Sequence, residues 1–136
     1  MVGRFRTRTE KWLHLVQGTV WSNMPAALTE FVGSTSGRTK VNLSDVSRVL
    51  MQGNVAVVGA ANAQLRLQYS TDNGTTWAYL DGGTTPSISI GTLGYKSSGW
   101  VNIVPAARKE VMLRIVGING DGVADPQVAV VNLRFR

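Results

Sequence analysis

Hydrophobic and polar residues alternate with a period of two along much of the second half of the chain. In residues 64–69, Leu65, Leu67 and Tyr69 alternate with polar neighbours, and residues 110–115 repeat the pattern with Val111 and Leu113. Because successive side chains of a strand point to opposite faces of a sheet, this period predicts half-buried β-strands. The apolar members of each set should face the core.

Three other segments carry strand patterns whose buried face is less simple to assign. In the last strand, Ala129, Val131, Leu133 and Phe135 form the predicted inner face. For residues 100–105, alternation does not assign the inner face, since both alternate sets contain apolar side chains. Residues 55–61 are apolar throughout, which predicts a strand covered on both faces, or one that packs against a neighbouring subunit.

Short turn sequences separate these segments and indicate the fold class. Asp72-Asn73-Gly74 is a good hairpin signal, and Gly-rich clusters at 81–83, 97–99 and 119–122 mark further loops. Many short strands at this spacing predict an all-β fold, an antiparallel β-sandwich with the jelly roll as its expected form. We expect residues 1–25 to form a basic N-terminal arm and first strand, and residues 26–136 to form the sandwich.

Composition narrows the class of protein. The chain has 136 residues, 43% of them apolar, and contains no cysteine, which excludes disulfides and thiolate metal sites. Its longest apolar runs are far shorter than a membrane span, and no secretory signal is visible at the N-terminus. We therefore expect a single domain that is not anchored in a membrane.

The formal charge of +6 is concentrated near the N-terminus. Arg4, Arg6, Arg8 and Lys11 stand against Glu10 within the first dozen residues. A basic arm of this kind can bind nucleic acid, an anionic membrane or an acidic protein surface, and it can also be merely solvated.

Two tryptophans follow the basic residues. Trp12 and Trp21 enclose a stretch with several aliphatic residues, which is predicted to form the first strand. They can close the core, or they can anchor a partner, since tryptophan is enriched at binding hot spots. We predict a partner-binding site for a capsid or a neighbouring subunit that comprises Arg4, Arg6, Arg8, Lys11, Trp12 and Trp21.

The sharpest local motif is the stretch from Ser70 to Trp77, which resembles the Asp-box of sialidase propellers and many secreted β-proteins. Ser70 and Asp72 are placed to bond turn amides, Gly74 supplies a positive φ, and Trp77 packs the hairpin against the sheet. A propeller needs several such units and this chain has one. We therefore interpret these four residues as a structural hairpin.

Residues suited to catalysis or metal binding are few. His14 is the only histidine, no pair of carboxylates is matched for acid–base work, and no Gly-rich phosphate cradle precedes a helix. We predict no catalytic residues, no metal site and no cofactor. The loop from Asn119 to Asp125 has oxygen ligands at a spacing that could hold Ca²⁺, although the EF-hand pattern is missing.

Five aromatic residues raise a second kind of site. Tyr69, Trp77, Tyr79, Tyr95 and Trp100 could build a sugar-stacking platform, but alternation places most of them in the core. Basic residues beside aromatics would suggest single-stranded nucleic acid. In the sequence the basic residues cluster in the arm and are not interleaved with these aromatics, so nucleic acid is an unfavoured partner.

Two longer runs resemble a known class of viral protein. Residues 41–77, and then residues 111–126, are similar to small jelly-roll proteins that decorate or cement the capsids of tailed phages. The runs lie within residues 41–126, a span of about two-thirds of the chain, and the likeness rests on the general residue pattern more than on a diagnostic motif. It implies a homotrimer seated on a capsid symmetry axis, often with a terminal arm that reaches a neighbour.

The sequence thus predicts a non-enzymatic structural protein that binds the outside of a phage capsid and stabilises it. Its expected partner is the major capsid protein, and its expected location is the virion. The alternative is a carbohydrate-binding β-sandwich module that uses Tyr95, Trp100 and loop aspartates.

Overall fold

The computed structural model describes residues 11–30 and 38–136. Within these residues the chain forms ten β-strands and one short 3₁₀ helix at Pro105–Ala107. The strands are β1 (Lys11–Val20), β2 (Thr29–Glu30), β3 (Thr39–Asn42), β4 (Arg48–Val57), β5 (Gln64–Ser70), β6 (Ala78–Tyr79), β7 (Ser87–Ser89), β8 (Gly94–Asn102), β9 (Glu110–Ile118) and β10 (Gln127–Phe135). All strand pairs are antiparallel.

The strands form two sheets with jelly-roll connectivity. One sheet has the order β1-β10-β4-β8, and the other has the order β2-β9-β5-β6, with β3 also paired to β9 and β7 to β5. The short strands β2 and β3 share one edge position, as do β6 and β7, which leaves eight positions. When these eight positions are numbered in chain order, one sheet has the order 1-8-3-6 and the other has the order 2-7-4-5, which is the strand order of a jelly roll. The predicted all-β sandwich is confirmed.

The first strand is an integral part of the sandwich. β1 pairs with β10 along its length, from Lys11 opposite Phe135 to Val20 opposite Gln127, with a register shift between His14 and Val16. The segment predicted as arm and first strand therefore contributes an edge strand to the four-stranded sheet. The predicted arm residues Arg4, Arg6 and Arg8 lie outside the described residues.

The core lies between the two sheets and uses the faces that alternation indicates. Leu65 and Leu67 of β5 and Leu113 of β9 are fully buried, as predicted. On β8, where the sequence left the face open, Ile103 just beyond the strand is buried and Val101 packs against the same cluster. These side chains supply the apolar burial that stabilises the fold.

Alternation fails in part of the last strand. Val131, Leu133 and Phe135 are buried as predicted, but Val128 is buried in place of Ala129. The register of β10 against β4 shifts between Val128 and Val131. A β-bulge of this kind adds a residue and reverses which side chains face inward, so the predicted phase is wrong before the bulge.

The apolar segment 55–61 is not covered on both faces within the chain. Val55 is buried, but Val57 and Val58 are 45% and 38% exposed. β4 ends at Val57, and the chain leaves the sheet there. The prediction of a doubly covered strand is wrong for one copy of the chain.

Most of the described connections between strands fall at two ends of the sandwich. Because Val57 pairs with Gln127, and Val55 pairs with Gly94, one end holds residues 21–28, 58–63, 90–93 and 119–126. We call this the apolar end, because most of the exposed large apolar side chains of the described residues lie in it or next to it. The opposite end, here the charged end, holds residues 43–47, 71–77 and 103–109 together with Lys11 and Arg136.

Candidate functional site

Four side chains form a row across the outer face of the four-stranded sheet. Trp12 of β1 pairs with Arg134 of β10, Arg134 pairs with Leu50 of β4, and Leu50 pairs with Trp100 of β8. Each strand of the sheet contributes one residue to this row. The row lies near the charged end, where Arg136 follows β10.

Arginine and tryptophan side chains stack along this row. The Arg134 guanidinium carbon lies 4.5 Å from the centroid of the Trp12 ring and 5.7 Å from that of Trp100. The Arg136 guanidinium carbon lies 4.5 Å from the Trp100 centroid. We refer to Trp12, Leu50, Trp100, Arg134 and Arg136 as the basic aromatic face.

The stacking on the tryptophan rings holds the guanidinium groups of Arg134 and Arg136 in place. Each cation–π contact contributes about 0.5–1 kcal/mol at exposed sites and more when it is desolvated. Leu50 is only 9% exposed although it points away from the core, whereas Trp12 is 53% exposed. The face therefore presents an accessible indole beside two arginines whose guanidinium groups are held by aromatic rings.

A second arginine–tryptophan cluster covers the outer face of the other sheet. Trp77 lies under Arg114 at 4.2 Å and under Arg38 at 5.3 Å, measured from guanidinium carbon to ring centroid. Glu30 accepts hydrogen bonds from both arginines, and Arg114 also donates to Gln68. This cluster joins β2, β5, β9 and Arg38, which precedes β3, to the hairpin that carries Trp77.

The tertiary structure overturns two expectations about the aromatics. Of the five, Tyr69 is in the core, but Trp77, Tyr79 and Trp100 are only partly buried and Tyr95 is 65% exposed. Among the described residues, three of these aromatics, Trp77, Tyr79 and Trp100, also lie beside basic residues, in five cation–π contacts. The sequence hides this because the partners lie on different strands.

The predicted partner-binding residues separate in the structure. Lys11 forms an ion pair with Asp45 at 2.8 Å and donates a hydrogen bond to the carbonyl of Asn42. Trp12 is exposed on the basic aromatic face, whereas Trp21 packs against the core near Met24. The two tryptophans thus lie at opposite ends of β1 and do not form one anchor.

Arg134, Arg136 and Trp100 belong to the candidate site although sequence reasoning did not place them there. The sequence of the last strand contains a hint of this site, because Arg134 and Arg136 alternate with Phe135, which faces inward. That pattern indicates two arginines on one outer face. It does not indicate that tryptophans from β1 and β8 lie beside them.

The Asp-box-like hairpin is held by its own side chains. The Ser70 hydroxyl donates to Asp72 and accepts from the amide of Gly74, whose φ is +90°. Asp72 Oδ1 accepts from the amides of Thr75 and Thr76, and the Trp77 indole donates to the carbonyl of Gly74. The turn is therefore built by hydrogen bonds that belong to the motif.

Replacing Asp72 with asparagine is expected to lower the melting temperature at pH 7 by about 5 °C. Hydrogen bonds from Ser70 and Thr76 hold the pKa of Asp72 well below its usual range. The stability that Asp72 adds over asparagine is therefore fully present above the pKa of Asp72 in the unfolded state, about 4. It is lost as the pH falls toward the pKa of Asp72 in the folded state. Thermal melts of both proteins from pH 7 to pH 2 measure this gap.

The exposed Glu110→Gln variant removes a carboxylate outside the hairpin and is the matched control. A constant gap between wild type and Asp72→Asn over the whole pH range would contradict the assigned role of the carboxylate.

The carboxylates of the 119–125 loop bond to backbone amides. Asp121 accepts from the amides of Val123 and Ala124, and Asp125 accepts from the amide of Asn23. Among the described residues, no group of three or more His, Asp or Glu side chains is placed to hold a metal ion. His14 lies in β1 opposite Asn132, and its side chain is not among those described.

Comparison of the chain with protein-family models, with curated proteins and with solved structures gives no match. Within residues 11–30 and 38–136, no helix has the length and apolar character needed to cross a membrane.

Proposed function

We propose that this protein is a non-enzymatic component of a viral shell, which binds the outside of a phage capsid and stabilises it. Its docking site would be the basic aromatic face, and its partner an acidic surface of the major capsid protein. The observation that carries the proposal is the row from Trp12 to Trp100, in which an exposed indole lies beside stacked arginines. The identity of the particle rests on the resemblance to capsid-decorating jelly rolls.

The chemistry of the face suits an acidic protein partner. A guanidinium group stacked on an indole presents its N–H groups in a fixed plane, where carboxylates can accept them in pairs. Because stacking already orders the arginine side chains, less conformational entropy is lost when they bind. Trp12, 53% exposed, can then be buried against the partner and supply most of the affinity.

Long-range charge would guide the encounter. The chain carries a net charge of +6, and the basic segment 1–10 directly precedes β1 in the sequence. Charges of this kind raise the association rate and orient the partners, whereas buried anchors determine how long the complex lasts. The added contact area across capsomer boundaries would oppose the internal pressure of a filled capsid.

The proposal is tested by co-sedimentation with capsids assembled from the major capsid protein of the same genome. Trp12→Ala should weaken binding by roughly 30-fold, the effect of about 2 kcal/mol expected for a hot-spot residue. Arg134→Glu should weaken it at least as much, because it places a negative charge before an acidic surface. Binding by both variants at the wild-type level would refute the proposal.

A matched control is Lys40→Glu, which makes the same charge change at an exposed position of β3 in the other sheet. It should bind like the wild type apart from a small effect of net charge. A form that begins at Lys11 tests the arm separately, and unchanged capsid binding by that form would remove the arm from the proposal while leaving the face in it.

A carbohydrate-binding module is the second candidate, since one observation favours it. Tyr95 is 65% exposed on the same sheet face, and its hydroxyl donates a 2.6 Å hydrogen bond to Gln52. The ring face of Trp100, however, is already occupied by Arg136 at 4.5 Å. A change in tryptophan fluorescence with an oligosaccharide from a broad panel would support this candidate, and no change across the panel would count against it.

A further inference from the structure

Most of the exposed large apolar side chains lie at one end of the sandwich. Seven such side chains are exposed among the described residues. Five of them are at the apolar end or in the strand that enters it, namely Leu28, Val57, Val58, Leu93 and Val123. Leu93 and Val123 are 64% and 74% exposed, so the solvent-facing tips of two separate loops are apolar.

The same end carries few charges. Its four connections contain two charged residues, Asp121 and Asp125, and the Lys96 ammonium donates a hydrogen bond to the Thr92 hydroxyl of the same end. Both carboxylates accept hydrogen bonds from backbone amides of their own end. The opposite end contains Lys11, Arg108, Lys109 and Arg136 against Asp45 and Asp72. The two ends of the sandwich therefore differ in charge: the apolar end has few charged groups and the opposite end has more, most of them basic.

The connections at the apolar end are fastened to one another. Met24 and Ala124 are joined through their backbones, and the Gly122 amide donates to the Met24 carbonyl, which links two of the four connections. The Gly59 amide donates to the carbonyl of Ile90 and links the other two. A Cβ at Gly59 would also touch Pro126 at 3.3 Å, which places both pairs side by side. The end is a preformed surface made of four packed loops.

An open depression lies within this surface. Its volume is about 680 Å³, and it is lined by small and amide side chains, among them Ala60, Ala61 and Asn62. No charged side chain lines it. The apolar end therefore offers both protruding side chains and a recess that could receive a side chain from a partner.

We propose that the apolar end is a homotypic interface, at which the apolar ends of two copies of this chain meet. In a symmetric contact the same patch faces itself, so a patch with many charges of one sign would repel its own copy. The apolar end instead has only Asp121, Asp125 and the Lys96 ammonium, whose charges are of both signs. Each copy carries a net charge of +6, so two copies repel each other. A contact at the apolar end keeps their charged ends far apart and so reduces this repulsion. An exposed apolar patch rimmed by polar residues is also typical of protein contacts.

This interface is independent of the proposed capsid-binding face. The basic aromatic face lies near the charged end on the outer side of one sheet, whereas the homotypic contact uses loops at the other end. Both surfaces can therefore be occupied together. The apolar run at residues 55–61, which the sandwich leaves partly exposed, would be covered by the second copy.

The test is the solution mass of the full chain by light scattering over a range of concentrations. One chain has a mass of 14.7 kDa, and the intact protein should show a larger mass that falls on dilution. Val123→Asp should raise the dissociation constant at least about tenfold, since it places like charges against each other and removes an apolar contact. Because Val123 is 74% exposed, the variant should keep the far-ultraviolet circular dichroism and melting temperature of the wild-type monomer.

The matched control is Ala106→Asp, which adds the same charge at an exposed position of the charged end and should leave the mass unchanged. A form that begins at Lys11 should assemble like the intact chain. The proposal is overturned if the intact chain has the mass of one copy at every concentration. It is equally overturned if Val123→Asp assembles normally while removal of residues 1–10 dissociates the protein.

Discussion

Phe135→Ala is expected to destabilise the protein by about 4 kcal/mol, the middle of the range for removal of a buried phenylalanine. Phe135 is fully buried and lies in β10, between Lys11 of β1 and Val49 of β4. Its loss opens a cavity beneath the four-stranded sheet, close to the charged end of the sandwich. Since small domains are stable by only about 5–15 kcal/mol, this single change should remove a large part of the total.

Chemical denaturation with urea measures this effect as a shift in midpoint at constant slope. Phe135→Leu is the matched control, because it keeps most of the apolar volume and should cost less than about 1.5 kcal/mol. Equal stability of the alanine and leucine variants would show that the ring is not packed as described. Since β10 contains Arg134 and is followed by Arg136, the alanine variant should lose capsid binding with its stability if the proposed function holds.

Gly120→Ala is the second large effect, with an expected loss of about 3 kcal/mol or more, at the upper end of the cost of overpacking. Gly120 is buried where residues 119–126 meet residues 21–28, and its amide donates to the Pro25 carbonyl. A Cβ at this position would lie 2.1 Å from the Met24 carbonyl oxygen and 2.6 Å from that of Pro25. These backbone atoms cannot move aside without breaking the contact between the two connections.

Gly122→Ala separates this steric effect from backbone strain. Gly122 lies in the same loop with a φ of +75°, and a Cβ there would meet nothing within 4 Å. Alanine at this position should therefore cost only about 1–2 kcal/mol, the energy of a left-handed residue. Urea midpoints of the two variants decide the matter, and a Gly120→Ala variant no less stable than Gly122→Ala would refute the close approach.

Sequence reasoning succeeded wherever one strand or one turn contains the whole signal. Alternation assigned the buried faces of β5 and β9 because a strand with one solvated face must bury every second side chain. The Asp72-Asn73-Gly74 turn was readable because the residues that bond to one another are neighbours in the chain. The composition and turn spacing then indicated a β-sandwich, which is the fold that the structure has.

Sequence reasoning failed where a local irregularity changed the phase of a strand. The bulge between Val128 and Val131 moves Val128 to the buried face, and no turn residue announces it. The run at residues 55–61 misled in a similar way. A continuous apolar run indicates only that several side chains are buried from water. It does not indicate whether residues of the same molecule or of a second molecule cover them.

By itself, then, the sequence determined the strand faces, the hairpin and the class of fold, since these depend on interactions between near neighbours. The tertiary structure alone decided which outward-facing side chains meet. Trp12, Arg134 and Trp100 form one face because the jelly roll places β10 beside β1 and brings β8 to the far edge of the same sheet. It likewise gathered Leu93 and Val123 at one end, since that end collects loops from distant parts of the chain. Strand order is set by packing between the sheets, and such long-range contacts leave no period in the sequence.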